Sequence, residues 1–150
     1  VSGDYRVLVT ASRDLTDRKL VRQQLFICLG AANALGKRLV VVHGHCPTGG
    51  DAFADEWAVE GHTRGVCAMP ERHPAKGHPT QDFGDWPGCG PRRNKYMVGQ
   101  GAAECLAFIG PCTSVRCRRI YAHGSHGATG CSNLAYEAGI EGKAWRLWKS

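Results

Sequence analysis

What the chain lacks narrows it first. No apolar run approaches the roughly 18 residues of a membrane helix, no internal repeat occurs, and no charged, then apolar, then small-residue leader opens it. A spanning helix, a solenoid and a cleaved secretory leader are not expected, and a cytoplasmic location away from membranes is. The standard phosphate fingerprints are missing too. Neither of two glycine-rich stretches carries a Walker lysine, and neither follows the dinucleotide spacing G-x-G-x-x-G. With 150 residues the chain is expected to form a single domain, 1–150, able to bury its own core.

Charge leans basic, with 19 Lys and Arg against 13 Asp and Glu and a formal net charge of +6. The basic residues are scattered, with small clusters at Arg92, Arg93 and Lys95 and at Arg116, Arg118 and Arg119. A small phosphorylated ligand is the expected partner, and nucleic acid is an alternative one. Eight cysteines would suggest disulfides in a secreted chain, but without a leader they read as thiols or metal ligands. Cys28 and Cys105 lie in apolar runs and are expected in the core.

Periodicity predicts alternating strands and helices. Arg6 to Ala11 and Leu39 to Val42 are short buried strands, the second a β-branched run typical of a strand covered on both faces. Between them Leu20, Val21, Leu25, Cys28, Leu29 and Ala32 recur at helical spacing after a cap at Thr16 or Asp17. A weaker third strand is expected at Val66 to Met69, a short helix from Pro91 or Arg92 to Gln100, and a strand from Cys105 to Ile109. A last helix from Cys131 to Ala138 ends at Gly139, and Trp145 to Trp148 forms an edge strand. Long loops are expected at about 70–91, which holds five of the seven prolines, and at 111–130. The pattern is that of a three-layer α/β/α Rossmann-like domain with a mostly parallel sheet, whose ligands bind beyond the carboxyl ends of the strands.

The candidate ligand residues lie in three places. HGHCPTGGDAFA, His43 to Ala54, offers Gly44, Gly49 and Gly50 for tight backbone geometry, Thr48 for a hydroxyl, and Asp51 to cap a helix or reach a ribose. HGSHGATGCSNLA, His123 to Ala135, brackets Ser125 and Thr129 with Gly124, Gly127 and Gly130, giving hydroxyls able to meet phosphate; the alternative is an ordinary capping segment with Thr129 or Ser132 as the cap. Free amides at a helix start suit phosphate. GPRRNKYM, Gly90 to Met97, adds Arg92 and Arg93, of which one is expected at the ligand and one in solvent, and Asn94, able to meet a base edge. Trp86 is the aromatic to consider as a base platform, whereas Trp57 reads as packing. Trp145 and Trp148, expected exposed, suit a homodimer contact.

A metal is the expected second cofactor. Cys112, Cys117, His123, His126 and Cys131 follow the spacing Cys-x4-Cys-x5-His-x2-His-x4-Cys, which suits a structural zinc held by the three cysteines and one histidine. A more dispersed group, Cys67, His73, His78 and Cys89, is a weaker candidate.

VLVTASRD at Val7 to Asp14, VVHGHCPTGGDAFADEWA at Val41 to Ala58, HPA at His73 to Ala75, GPRRNKYM, LAFIG at Leu106 to Gly110 and HGATGCSNLAYEAGI at His126 to Ile140 together resemble the SLOG superfamily. Within it they resemble the YspA-like branch of small bacterial and phage proteins. The resemblance implies a Rossmann-like fold and nucleotide binding or sensing. It also brings in phosphoribohydrolases, which release a base from a nucleoside monophosphate and carry a glutamate soon after a Gly-Thr turn. Here Gly130, Cys131 and Ser132 follow Thr129, and the first glutamate is Glu137. In an enzymatic reading the carboxylate falls to Asp51 or Asp14. Three functions therefore stand: nucleotide binding or sensing, N-glycosidic cleavage with Asp51 as catalytic residue, and a DNA-binding or structural module.

Overall fold

The computed structural model describes residues 3–148. Five strands, β1 (Asp4–Ala11), β2 (Arg38–His43), β3 (Glu71–Arg72), β4 (Glu104–Ile109) and β5 (Glu141–Arg146), form one sheet in the order β3-β2-β1-β4-β5. Every pairing is parallel. Four helices connect them: α1 (Arg18–Ala34), α2 (Gly49–Thr63), α3 (Cys89–Gly99) and α4 (His126–Glu137). The α/β layering expected from the sequence is the one observed.

Strand alternation sorts the core into two layers. Val7 and Val9, Leu39 and Val41, and Leu106 and Phe108 face the side covered by α1 and α2. Leu8, Val40, Val42 and Cys105 face α3 and α4, where they meet Met97, Val98, Cys131 and Ala135. Helix α1 starts because the Asp17 carboxylate accepts the Leu20 N–H at 3.1 Å. It buries Val21, Leu25, Cys28 and Ala32 along one stripe, as their spacing predicts. Burial also pushes the Cys28 and Cys105 thiols up to about 12, which leaves both as inert core groups.

Four boundaries differ from expectation. The third strand is not Val66–Met69, because that stretch is used in returning from α2: Gly65 turns with φ 74°, and the Val66 N–H reaches back to Gly61 O. Pro70 offers no N–H, so ladder pairing begins at Glu71, opposite Val42. Helix α3 begins at Cys89, ahead of Pro91. The edge strand β5 spans Glu141–Arg146, so Leu147 and Trp148 follow it. Helix α4 begins at His126, five residues before Cys131, with Ser125 at its N-cap in place of Thr129 or Ser132.

The C-terminal tryptophans are not exposed. Trp145 stacks on Phe108 with ring centroids 4.8 Å apart, and Trp148 is half-buried. The loop from Pro74 to Gly88 is long and irregular as expected, but it has its own small core of Ala75, Phe83, Cys89 and Tyr96.

Candidate functional site

The sheet changes winding direction at β1. From there β2 and β3 lie on one side and β4 and β5 on the other. Loops leaving β1 and β4 must diverge at this point and open a crevice at the strands' carboxyl ends. A cleft of about 1250 Å³ lies there, lined by Ser12, Arg13 and Asp14 after β1 and by Gly44 to Thr48 and Asp51 after β2. Arg93 and Asn94 of α3, and Ser125 to Ala128 at the head of α4, complete its walls.

The first glycine-rich turn builds its side of the cleft through close packing. Gly49 has φ 71°, and a Cβ there would overlap the Ser12 carbonyl oxygen, while a Cβ on Gly50 would overlap the Ala11 side chain. Their role is to seat α2 against the end of β1, and neither lines the cleft. Asp51, in the first turn of α2, is 7% exposed, and its carboxylate accepts the Cys46 N–H at 3.2 Å. Burial lifts this carboxyl to about 6, against the opposing pull of that amide and of Arg93. Thr48 caps nothing with its side chain and donates its hydroxyl to Arg13 O at 2.8 Å, tying the two loops together.

His43, which the sequence reading passed over, anchors the turn from below. It is fully buried, and its Nδ1 accepts the His45 N–H at 2.9 Å. Nε2 therefore carries the proton and donates to Asp55 at 2.9 Å. Burial lowers its pKa to about 4, so the ring stays neutral. Arg72 holds the same Asp55 at 2.7 and 3.0 Å, which joins β2, β3 and α2.

The two adjacent arginines part as helical geometry requires. Arg93 donates to Gly44 O at 2.7 Å and to His73 O at 3.1 Å, and packs its Nε against Asn94 Oδ1 at 2.8 Å. Burial lowers its pKa, with Asp51 acting in the opposite direction. Arg92 turns away from the cleft and donates to Phe83 O at 2.6 Å, so it pins the 83–88 segment. Arg13, at the mouth, lies over the Trp86 ring, 5.4 Å from its centroid. Both line the cleft and both are exposed. The signal for Arg13 was its place directly beyond the central strand.

The second glycine-rich stretch is mostly helix. Gly127 and Gly130 lie within α4, where a Cβ would meet open space, so the chain does not need glycine there for backbone geometry. Gly127 lines the cleft; Thr129 does not. Ser125 makes no capping bond, because its hydroxyl is committed to Ser12 Oγ at 2.6 Å. Ser12 Oγ also accepts the Gly110 N–H at 2.7 Å, and Ser125 N–H reaches Gly110 O at 2.9 Å. The ends of β1 and β4 and the head of α4 are thus stitched together, and the first residues of α4, His126 to Ala128, line the cleft.

Beside it, Cys112, Cys117, His123 and His126 bring four donor atoms within 4.8 Å of one another, a set able to hold a metal ion. Cys131 does not join them. It is 0% exposed on the core face of α4, where burial raises its thiol pKa. Both histidines occupy the places expected of one histidine and that cysteine. The dispersed group does not assemble: Cys67 is in the core and donates to Ala58 O, and Cys89 lies in the small loop core. His73 and His78 do meet, at 2.8 Å between ring nitrogens. His78 Nδ1 accepts two backbone N–H groups, so its Nε2–H donates to His73, which in turn donates to Glu71 at 2.6 Å. Arg6 completes this brace by pairing with Glu71.

No helix among the described residues is long and apolar enough to cross a membrane. By fold, the chain is similar to a universal stress protein from Archaeoglobus fulgidus, with 14% identity, 93% of this chain and 92% of that one covered, and a TM-score of 0.44. By sequence it is 40% identical over 108 residues to the gene 61 protein of Mycobacterium phage D29, covering 69% of this chain and 75% of that protein. Residues 5–75, which run from β1 through the Asp51 turn to the start of the braced loop, match the model of the YspA, cpYpsA-related SLOG family. With the phage relative matched well beyond this span, the chain belongs to the YspA, cpYpsA-related SLOG family.

Proposed function

We propose that the cleft binds a nucleotide or nucleotide-derived ligand. One observation carries this: the heads of α2 and α4 meet in a single cleft at the sheet's switch point, with Arg13 and Arg93 in its walls. Helix amides and guanidinium groups are the two protein groups best suited to phosphate. The amides at the head of α4 are the freer pair of hands, since no acidic side chain sits in its first turn, whereas Asp51 occupies that of α2. The phosphate therefore belongs near His126, Gly127 and Arg13, and the ribose near Asp51. Asn94 meets a base edge, and Trp86 supplies a face on which a base can stack. Family membership supports nucleotide-related binding or processing. In this reading the Cys/His cluster holds a structural zinc that serves the cleft wall, and no step of binding runs through it.

The test is calorimetric titration with AMP, ADP, ADP-ribose and cyclic nucleotides. At least one should bind below millimolar concentration, and Arg13→Ala and Trp86→Ala should each weaken it about tenfold while leaving the melting temperature alone, both side chains being exposed. Silence across the panel at millimolar ligand would dismiss the reading.

A second reading is N-glycosidic cleavage of a nucleoside monophosphate. It is favoured by Asp51, a buried cleft carboxyl whose proton affinity near 6 suits an acid–base role. Base release that vanishes in Asp51→Asn would support it, and an unchanged rate would remove Asp51 from the chemistry.

A further inference from the structure

The loop from Gly110 to Ser125 lacks what orders other loops of its length. Val115 and Ile120 are 99% and 102% exposed, and Tyr121 is 61% exposed, so it has no apolar cluster comparable to that of the Pro74–Gly88 loop. Its backbone is pinned at the base, where Cys112 N–H donates to His123 O at 2.8 Å and Pro111 bridges Gly124. Above the base, the convergence point is polar.

We propose that Cys112, Cys117, His123 and His126 bind one Zn²⁺ through two thiolates and two imidazole nitrogens, and that this ion serves as the core of the loop. Four of the six donor–donor spacings are those of a tetrahedron around zinc, and the remaining two pairs lie within 4.8 Å. Zn–N bonds of about 2.0–2.1 Å and Zn–S bonds of about 2.3 Å, at tetrahedral angles, put two nitrogens roughly 3.4 Å apart and a nitrogen and a sulfur roughly 3.6 Å apart. The two Nε2 atoms are separated by 3.2 Å. Cys117 Sγ lies 3.4 and 3.5 Å from them, and Cys112 Sγ lies 3.6 Å from His126 Nε2.

The tautomer agrees. His123 Nδ1 is 2.8 Å from Tyr121 O. A carbonyl can only accept, so Nδ1 carries the proton and Nε2 turns its lone pair toward the other donors, as a metal-ligating histidine does. Four protein ligands close the coordination sphere, which marks the site as structural. On binding, each thiol releases its proton to solvent as the thiolate bonds the metal.

The site also bears on its neighbour. His126 is the first residue of α4, and both it and Cys112 line the cleft. One ion thus fixes the head of that helix against the loop. This consequence alone rests on the nucleotide reading; the metal site stands without it.

Elemental analysis of the full chain, purified reduced and without chelator, should find one zinc per chain. Replacement by Co²⁺ should give the visible bands of a tetrahedral thiolate site. Cys112→Ser with Cys117→Ser should weaken binding more than 100-fold. His123→Cys should retain one equivalent but shift the cobalt spectrum toward three thiolates, which separates lost ligation from lost folding. Chelation should speed tryptic cleavage after the exposed Arg116, Arg118 and Arg119 while the circular dichroism of the sheet and helices persists. No uptake of Zn²⁺ or Co²⁺ by the reduced chain, equal uptake by the double serine variant, or a Cys112–Cys117 disulfide in the reduced preparation would each overturn the proposal. Failure of AMP or ADP-ribose to bind the zinc-loaded chain would sink the cleft reading and leave the metal site intact.

Discussion

The two glycine-rich stretches, His43 to Ala54 and His123 to Ala135, look alike in sequence and differ in how the helix that follows uses its glycines. In the first, Gly49 and Gly50 are buried where the start of α2 presses on the end of β1, and no side chain fits. In the second, Gly127 and Gly130 stand in open space on the first turns of α4. The first turn also contains a buried carboxyl, and the second has none. Glycine density is therefore no measure of how closely two backbones approach. What separates the stretches is where the close approach falls: α2 is wedged against β1 at its own first residues, Gly49 and Gly50, whereas in the second stretch the tight glycine is Gly124, against Ile109 of β4 and ahead of α4.

Substitution can break this contrast directly. Gly50→Ala should cost about 3 kcal/mol or more, because Ala11 and the strand behind it cannot yield cheaply. Chemical denaturation measures this, and a loss below about 0.5 kcal/mol would mean that α2 sits farther from β1 than described. Gly49→Ala should be comparably harmful, since positive φ adds to the clash with Ser12 O.

The buried carboxyl gives the next largest effect. In an unfolded chain Asp51 loses its proton near 3.8, in the fold near 6. Between those values the folded state holds the extra proton, so Asp51 makes stability fall as pH rises from about 4 through 6 and stay lower above. His43 acts in the other direction. Its ring protonates near 6.5 unfolded and near 4 folded, so stability is lost as pH falls through that window. The two nearly offset in the parent chain. Asp51→Asn should therefore be more stable by on the order of 2–3 kcal/mol above pH 6, converging on the parent below pH 4. It should also expose the acid limb due to His43. Denaturation midpoints from pH 4 to 8 decide it, and a gap that does not vary with pH would contradict the buried charge.

Ser12 connects the two regions. Ser12→Ala leaves the Gly110 N–H without its acceptor in a buried place and frees Ser125, for a cost of about 1–2 kcal/mol. The freed Ser125 hydroxyl can then cap α4, so a neutral result would show that capping compensates. The smallest effect has the opposite sign. Gly130→Ala should raise stability by about 0.5–1 kcal/mol through helix propensity alone, seen as a higher melting temperature. A loss there would mean that α4 needs glycine after all.

The sheet and the α1 stripe were legible because burial on both faces leaves a long signature: Val7 to Val9, Leu39 to Val42 and the repeat from Val21 to Ala32. Val66 to Met69 misled because apolar content without a donor at Pro70 cannot continue a ladder. The start of α4 was misplaced because glycine reads as a turn wherever it clusters. In the site, Asp51 and Arg93 could be named from their motifs, and Arg92 could be paired with Arg93 only as an alternative. His43, hidden in a β-branched strand, and Cys131, five residues beyond His126, could be assigned only from which face each side chain takes.

By itself, the sequence determined what depends on local order: the alternation of strands and helices, the cap at the start of α1, and the supply of thiols and imidazoles in one loop. Tertiary structure decided what depends on distance between separated segments. It brought the heads of α2 and α4 to one cleft, turned Arg93 in and Arg92 out, and gathered two histidines in place of one with Cys131. The physical reason is that ligation, burial and hydrogen bonding act over a few ångströms in space, while Ser12 and Ser125 lie more than a hundred residues apart along the chain.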